Sequence, residues 1–279
     1  MIGLRLAGWA LVALLGLGWA WGCSGGGEEA GSRSTSIRPG MEAKLGYVAL
    51  GDSLSAGVGA SFPGANGFVP LVLHSLGEEY ELINLGHSGD TSSNLLDHGH
   101  LSEAIAEIAA RGDESNGVRV VTLEIGGNDL LRIYFALVLS GICPTLDAVL
   151  ATEECRDALA MILAGYEPNL AAALDGLLAA DPSLRIVLLT LYNPLSGFLP
   201  VEAELAELAL EGLPDTPFPS GLNDVIRAEA GKRGIIVADL HPLFDGRALE
   251  LMSSDFVHPN DAGHRVMADA VIAALEEAQ

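Results

Sequence analysis

The sequence predicts an α/β protein, a three-layer α/β/α sandwich around a parallel sheet of about five strands. Short apolar runs typical of buried strands recur along the chain, separated by longer segments with the apolar spacing of helices. Continuous apolar runs, as opposed to alternating ones, indicate strands that helices cover on both faces. The runs are 47–50, 82–85, 118–125, 184–191 and 235–238.

The helices between these strands follow from apolar stripes and from proline positions. Pro168 predicts a break or a new start within a long Ala- and Leu-rich helix. Pro259 suits the first turn of the last helix, so that helix is predicted to begin there. The other predicted helices are 95–111, 158–180 and 221–232.

The N-terminal residues predict export. Arg5 precedes an apolar run over 6–21, which is followed by Cys23, and this resembles a bacterial lipoprotein signal whose cysteine is lipidated. An ordinary cleaved signal and an uncleaved N-terminal anchor are the alternatives. Residues 24–44 are rich in Gly, Ser and Glu and predict a flexible tether. A chain of 279 residues then leaves one large domain, 45–279.

The remaining cysteines, Cys143 and Cys155, predict a disulfide in an oxidising compartment. Closing so short a loop stabilises a fold by about 3 kcal/mol on the chain-entropy model. Two unrelated buried thiols are the alternative. Cysteines and histidines with zinc-site spacing are absent from the sequence, so neither a structural metal nor a cofactor is expected.

The charge of the chain limits its partners. A net charge of −23, from 37 acidic against 14 basic residues, repels phosphate backbones and excludes nucleic acid. It also argues against electrostatic binding to anionic bilayers, so membrane contact is expected only through an N-terminal anchor. We expect a monomer that acts on a small-molecule or lipid ester.

Four short polar motifs carry the chemistry. They are Gly-Asp-Ser-Leu at 51–54, Ser-Gly-Asp-Thr at 88–91, Gly-Gly-Asn-Asp at 126–129 and Asp-Phe-Val-His-Pro at 255–259. The first three directly follow the first three predicted strands. In open parallel sheets the working residues lie beyond the carboxyl ends of the strands, so these motifs are expected to converge.

The residue types in these motifs fit hydrolysis through an acyl-enzyme. Ser53 is expected to open a helix as the nucleophile, with His258 as its base and Asp255 orienting the imidazole. The N–H groups of Ser53 and Gly89 and the side-chain amide of Asn128 would hold the oxyanion. Taken singly, each residue has an ordinary structural interpretation, such as a helix cap or a turn.

Together, these motifs resemble the SGNH family, also called GDSL esterases and lipases, from about Lys44 to the C-terminus. The resemblance implies a flavodoxin-like sandwich, no metal, and hydrolysis of carboxylic esters or thioesters. It also implies that Asp52 braces the loops and is not the acid of the triad.

The other polar candidates have ordinary interpretations. His98 and His100 are interpreted as solvated residues at the start of a helix, not as metal ligands, and His87 as a turn residue or the edge of the pocket. His264 is expected to face solvent on the last helix. Residues 113–114 are interpreted as a solvated turn.

Two segments that the sheet does not need, 130–150 and 194–220, are expected to overhang the strand ends. Two interpretations of these segments are equally consistent with the sequence: they line an acyl pocket, or they serve only as packing. Three hypotheses follow: an exported ester hydrolase of the esterase, lipase or lysophospholipase type, a polysaccharide O-acetyl esterase, or an inactive surface protein that binds a ligand.

Overall fold

The computed structural model describes residues 43–111 and 115–277. Within these ranges one parallel sheet of five strands has the order β2-β1-β3-β4-β5. This is the order of flavodoxin-like folds, and it confirms the predicted α/β architecture. The strands are β1 Leu45–Gly51, β2 Tyr80–Gly86, β3 Val118–Glu124, β4 Arg185–Leu189 and β5 Ile236–Ala238.

Helices connect the strands and cover both faces of the sheet. A π-helical turn at Tyr134–Val138 follows the fifth helix. The helices are α1 Pro63–Asn66, α2 Phe68–Leu76, α3 Ser92–Asp97, α4 His100–Ala110, α5 Gly127–Ile133, α6 Leu146–Ala151, α7 Glu153–Ala180, α8 Pro200–Glu211, α9 Leu222–Arg233, α10 His241–Phe244, α11 Ala248–Leu251 and α12 Asp261–Glu277.

Neighbouring residues of β1 point to opposite faces and enter two separate cores. Val48 and Leu50 pack in a core with residues of α4, α7 and α9. Tyr47 and Ala49 pack on the other side with residues of α2 and α12. All four of these β1 residues are fully buried between the two cores. Because both faces of β1 lie against apolar cores, its sequence is a continuous run of apolar residues.

Three predicted helix boundaries are wrong. The helix expected over 95–111 is two helices, because Gly99 adopts a φ of +92° and turns the chain between them. Pro168 lies inside the continuous helix α7, where buried Tyr166 and Leu170 flank it and hold the helix on the core. The last helix begins at Asp261, because Pro259 instead pairs with Met252 in an isolated bridge.

Several sequence predictions fall outside the described residues. The signal segment, Cys23, most of the predicted tether and residues 113–114 are among them. Of the helices that the structure describes, none has the length and apolar character to span a membrane.

Candidate active site

Ser53 lies two residues beyond β1, in a series of tight turns. Gly51 has a φ of +145°, and a Cβ there would lie 2.2 Å from the carbonyl oxygen of Glu124, so only glycine fits this close approach. The amide of Val58 donates to the carbonyl of Ser53 at 2.9 Å. The prediction that Ser53 opens a helix is wrong, since the left-handed glycines Gly57 and Gly59 interrupt any helix here.

Ser53, His258 and Asp255 form a hydrogen-bonded chain. Ser53 Oγ is 2.9 Å from His258 Nε2, and His258 Nδ1 is 2.7 Å from Asp255 Oδ2. The chain joins residues 205 positions apart in sequence. One imidazole nitrogen can therefore accept the serine proton while the other is held by the carboxylate.

Asp255 is held in its ionised form. Its Oδ1 accepts hydrogen bonds from the Ser253 hydroxyl and from the amides of Val257 and His258. Burial opposes ionisation, but these bonds and the imidazole outweigh it and lower the pKa of Asp255 to about 2. The carboxylate is therefore charged at any pH where an ester hydrolase would operate.

The loop that carries His258 is fastened at several points. The Tyr192 hydroxyl donates to the carbonyl of Val257 at 2.9 Å. Gly59 fits closely beneath the loop, where a Cβ would lie 2.2 Å from the carbonyl oxygen of Pro259. Phe256 adopts a φ of +54°, a region that bulky residues seldom enter. The backbone around His258 is thus fixed by contacts from β4 and from the Ser53 loop.

His264 also connects the last helix to the Ser53 loop. It is fully buried, so the prediction that it faces solvent is wrong. Its Nε2 donates to the carbonyl of Val58 at 3.0 Å, and its Nδ1 accepts from the amide of Phe68 at 3.3 Å. Burial lowers the pKa of His264, which keeps the ring neutral and suits both bonds.

Two backbone amides are free to bind an oxyanion. Among the described residues, the N–H groups of Ser53 and Gly89 donate to no acceptor. Gly89 has a φ of +89° and is exposed, which leaves its amide open to a substrate.

Asn128 has a more constrained position. Its Nδ2 is 3.0 Å from Asp52 Oδ2 and 2.9 Å from the carbonyl oxygen of Asp90. Both contacts use the side-chain amide protons of Asn128 that were expected to bind the oxyanion. A substrate oxygen would therefore have to share one of these protons with Asp52 or Asp90.

Asp52 and Glu124 form a buried carboxyl pair beside Ser53 that the sequence analysis missed. Both side chains are at most 3% exposed, and Asp52 Oδ1 accepts from the amide of Leu54 at 3.0 Å. Burial and then the neighbouring Asp52 carboxylate raise the pKa of Glu124 well above its ordinary value. Burial also raises the pKa of Asp52. Two carboxyl groups so close are not both charged, so Glu124 keeps its proton beside the Asp52 carboxylate, although neither Glu124 oxygen forms a hydrogen bond.

A signal for this pair was present in the sequence. Glu124 is the one ionisable residue in the mostly apolar stretch 120–125. A charged residue type in a strand buried on both faces requires a polar partner. The sequence alone could not identify Asp52 as that partner, because the two lie on adjacent strands.

A cavity of about 200 Å³ opens beside Ser53 and His258. Its walls are mostly aliphatic and come from both segments, 130–150 and 194–220, that were expected to overhang the strand ends. Those walls include Leu130, Leu137, Val138, Leu195, Leu205 and Ala209.

The disulfide between Cys143 and Cys155 lies in this wall. The cysteines are buried, and their Cα atoms are 6.0 Å apart. They pack with Val149, Leu159 and Leu208 in a third apolar cluster above the sheet. The bond joins the segment after the π-helical turn to the start of α7, so it fixes the outer wall of the cavity.

Three histidines near the second motif surround one carboxylate, which the sequence did not predict. The rings of His87, His98 and His100 all reach Asp90, while the side chains of His87 and His98 are about half exposed. Asp90 itself is 2% exposed.

Comparison with known proteins agrees with this geometry. The model of the GDSL-like lipase/acylhydrolase family matches residues 49–266. The chain is 29% identical over 238 residues to the spore germination lipase LipC of Bacillus licheniformis, covering 82% of this chain and 96% of that protein.

Solved structures show the same fold. The lipase Lip_vut3 from a goat rumen metagenome has 25% identity and a TM-score of 0.56, covering 83% of this chain and 97% of that one. Phospholipase A1 from Streptomyces albidoflavus NA297 has 24% identity and a TM-score of 0.55, covering 84% of this chain and 99% of that one.

The sheet order and these matches define a carboxylic ester hydrolase of the SGNH type. The chain belongs to the GDSL-like lipase/acylhydrolase family.

Proposed function

We propose that the protein is an exported serine hydrolase that cleaves esters of apolar acyl chains through an acyl-enzyme. The observation that carries this proposal is the hydrogen-bonded chain from Ser53 through His258 to Asp255 at the mouth of an aliphatic cavity.

In the proposed reaction, Ser53 Oγ attacks the acyl carbon while His258 Nε2 takes its proton. The Asp255 carboxylate holds the ring and stabilises the imidazolium that forms. The amides of Ser53 and Gly89 stabilise the oxyanion, assisted by Asn128 through a shared proton. His258 then returns the proton to the leaving alkoxide, and a water molecule activated by the same imidazole hydrolyses the acyl-enzyme.

The cavity supports an acyl chain as its occupant. Aliphatic side chains dominate the walls beside Ser53, and burial of each methylene contributes about 0.8 kcal/mol to binding. An acetyl group would leave most of this surface uncovered, and a sugar would bring hydroxyl groups against it. The O-acetyl esterase alternative is therefore less well supported than an esterase or lipase.

A chain-length profile tests this proposal. Purified protein should hydrolyse p-nitrophenyl esters of medium acyl length with higher kcat/KM than the acetate. Ala206→Phe, which places a ring in the cavity wall, should move the preference toward shorter chains. Ala106→Phe on the exposed side of α4 is the matched control and should leave the profile unchanged. An acetyl-only profile would support the deacetylase, and absence of all hydrolysis would support the inactive binding protein.

Export and a lipid anchor are supported by the N-terminal sequence and by the disulfide, because disulfides persist mainly in oxidising compartments. The anchor predicts that Cys23→Ser releases the protein from the membrane fraction into the soluble fraction. A variant that still sediments with membranes would favour an uncleaved anchor. Release of the unsubstituted protein would favour an ordinary signal.

A further inference from the structure

Four side chains after β2 converge on one point. Asp90 Oδ1 is 3.0 Å from His87 Nδ1 and 3.1 Å from His98 Nδ1, and Asp90 Oδ2 is 3.4 Å from His100 Nε2. One nitrogen or oxygen of each residue lies within 4.8 Å of those of the other three. Three imidazoles and one carboxylate therefore share a space small enough for a single ion.

The Asp90 carboxylate is only half satisfied by the protein, because Oδ1 lies within hydrogen-bond distance of His87 and His98 but Oδ2 accepts no hydrogen bond. It is 2% exposed, and its buried Oδ2 atom has no hydrogen-bond partner. A buried carboxylate oxygen without a partner costs several kcal/mol unless a cation or donor reaches it. No lysine or arginine forms an ion pair with Asp90 among the described residues.

The distances fit a small tetrahedral metal. Zinc binds imidazole nitrogen and carboxylate oxygen at about 2.0–2.2 Å, which places neighbouring ligand atoms about 3.3 Å apart. The distances from Asp90 to the three rings, 3.0, 3.1 and 3.4 Å, lie close to this spacing. The four ligand atoms lie within 4.8 Å of one another, so the widest pair would have to close by at most about 1.5 Å to form a tetrahedral site.

The backbone places these groups in advance. Thr91 and Asn94 form a capping box that fixes the first turn of α3, directly after Asp90. Gly99 has a φ of +92° and reverses the chain, which brings His100 back beside His98. Asn94 Nδ2 lies 3.2 Å from the far ring nitrogen of His98 and orients that ring.

We propose that His87, Asp90, His98 and His100 bind one divalent transition-metal ion, with zinc as the best-matched probe. Imidazole-rich sites favour zinc and its neighbours over magnesium and calcium, which prefer all-oxygen ligands. The ion replaces ring protons that point to Asp90. The His98 ring then carries its proton on Nε2, so the Asn94 amide, a donor 3.2 Å from that nitrogen, has to turn away.

The site has a structural consequence for the loop that it anchors. His87 and Asp90 flank Gly89, whose amide is free, and the Asp90 carbonyl accepts from Asn128 at 2.9 Å. The bound ion holds the turn 87–91 in place and lowers its mobility. Metal binding itself does not depend on ester hydrolysis, so its test stands apart from the proposed function.

Calorimetric titration tests the proposal directly. The full chain, prepared without a histidine tag and stripped with EDTA, is titrated with zinc chloride and separately with magnesium chloride. We expect one zinc per chain with a Kd below about 1 µM and no saturable magnesium binding in the same range. His87→Ala and His100→Ala should each weaken zinc binding at least tenfold. His74→Ala, an exposed histidine on α2, is the matched control and should bind like the unsubstituted protein.

Thermal unfolding provides a readout that also shows whether the variants fold. Zinc at 100-fold excess over Kd should raise the Tm of the unsubstituted chain and of His74→Ala by about 5 °C or more, but not that of His100→Ala. The ring of His87 is more than half exposed, so His87→Ala is the variant that folding defects should least affect. Absence of zinc binding by the unsubstituted protein would overturn the site. So would a zinc affinity in folded His87→Ala and His100→Ala equal to that of the unsubstituted protein.

Discussion

The ring of Phe198 stacks on the ring of Phe256, with centroids 4.5 Å apart and planes inclined by 8°. Phe256 lies in the turn between Asp255 and His258 and adopts a φ of +54°. A backbone in this region costs about 1–3 kcal/mol, which surrounding contacts must offset. Phe198 comes from the segment after β4 that forms part of the cavity wall, so this stack joins that wall to the turn that carries His258.

Removing the stack should reduce turnover without unfolding the protein. An aromatic pair contributes about 0.5–1.5 kcal/mol beyond its buried area, so Phe198→Ala should lower kcat by about two- to tenfold. Steady-state hydrolysis of a p-nitrophenyl ester measures this. Phe135→Ala, at an exposed ring of the neighbouring segment, is the control. Equal kinetics for the two variants would show that the stack does not position His258.

Asn128 should contribute to the rate and little to binding. Loss of one oxyanion donor lowers turnover by about 10²–10³-fold, and we expect Asn128→Ala to fall in this range with KM changed only a few-fold. Asn128 also donates hydrogen bonds to Asp52 and to the Asp90 carbonyl, so the Tm of the Asn128→Ala variant should be measured in parallel. A folded variant with full kcat would remove Asn128 from the oxyanion site.

Asp255 should be required at every pH at which the protein is active. Its pKa of about 2 lies below its ordinary value, so it stabilises the folded state above the unfolded pKa near 4. That contribution is lost as the pH falls from about 4 through 2. Asp255→Asn should lower kcat by about 10³–10⁴-fold at pH 8. This role would be contradicted if Asp255→Asn kept its kcat and lost only the acid limb of its pH–rate profile.

The buried Glu124 should make the protein less stable as the pH rises. Its pKa is raised in the folded state, so above about pH 4.5 the unfolded chain releases a proton that the folded chain keeps. Stability is then lost by up to about 1.4 kcal/mol per pH unit until Glu124 ionises. Glu124→Gln places a neutral side chain of similar size beside Asp52 and removes this loss, so its stability relative to the unsubstituted protein should increase from pH 5 to pH 8.

Urea unfolding at both pH values measures the Glu124 effect. Glu103→Gln, an exposed position on α4, is the matched control and should leave the pH dependence as it is. Parallel curves for Glu124→Gln and the unsubstituted protein would show that Glu124 is ionised in the folded state.

The sequence predicted the elements that depend on local pattern and on the order of the strands. The five strands, the sheet type and the position of the motifs at the strand ends follow from apolar runs and glycines. The spacing of Cys143 and Cys155 also predicted the disulfide that the structure contains.

Features that depend on packing between distant segments could not be predicted in this way. The burial of His264 depends on Val58 and Phe68, which lie some two hundred residues earlier. Glu124 meets Asp52 only because β1 and β3 are neighbours in the sheet. His98 and His100 were interpreted as solvated residues at the start of a helix. Their approach to Asp90 depends on the turn at Gly99, which interrupts what reads as one helix.

The most direct test of the account is covalent trapping of the nucleophile. The protein is treated with a p-nitrophenyl alkylphosphonate, which phosphonylates an activated serine, and is then examined by intact mass and peptide mapping. We expect one adduct per chain, located on Ser53, with parallel loss of ester hydrolysis and no adduct in Ser53→Ala; Ser183→Ala, at an exposed serine, should label and hydrolyse normally. An adduct on another residue, or undiminished hydrolysis by Ser53→Ala, would contradict the account.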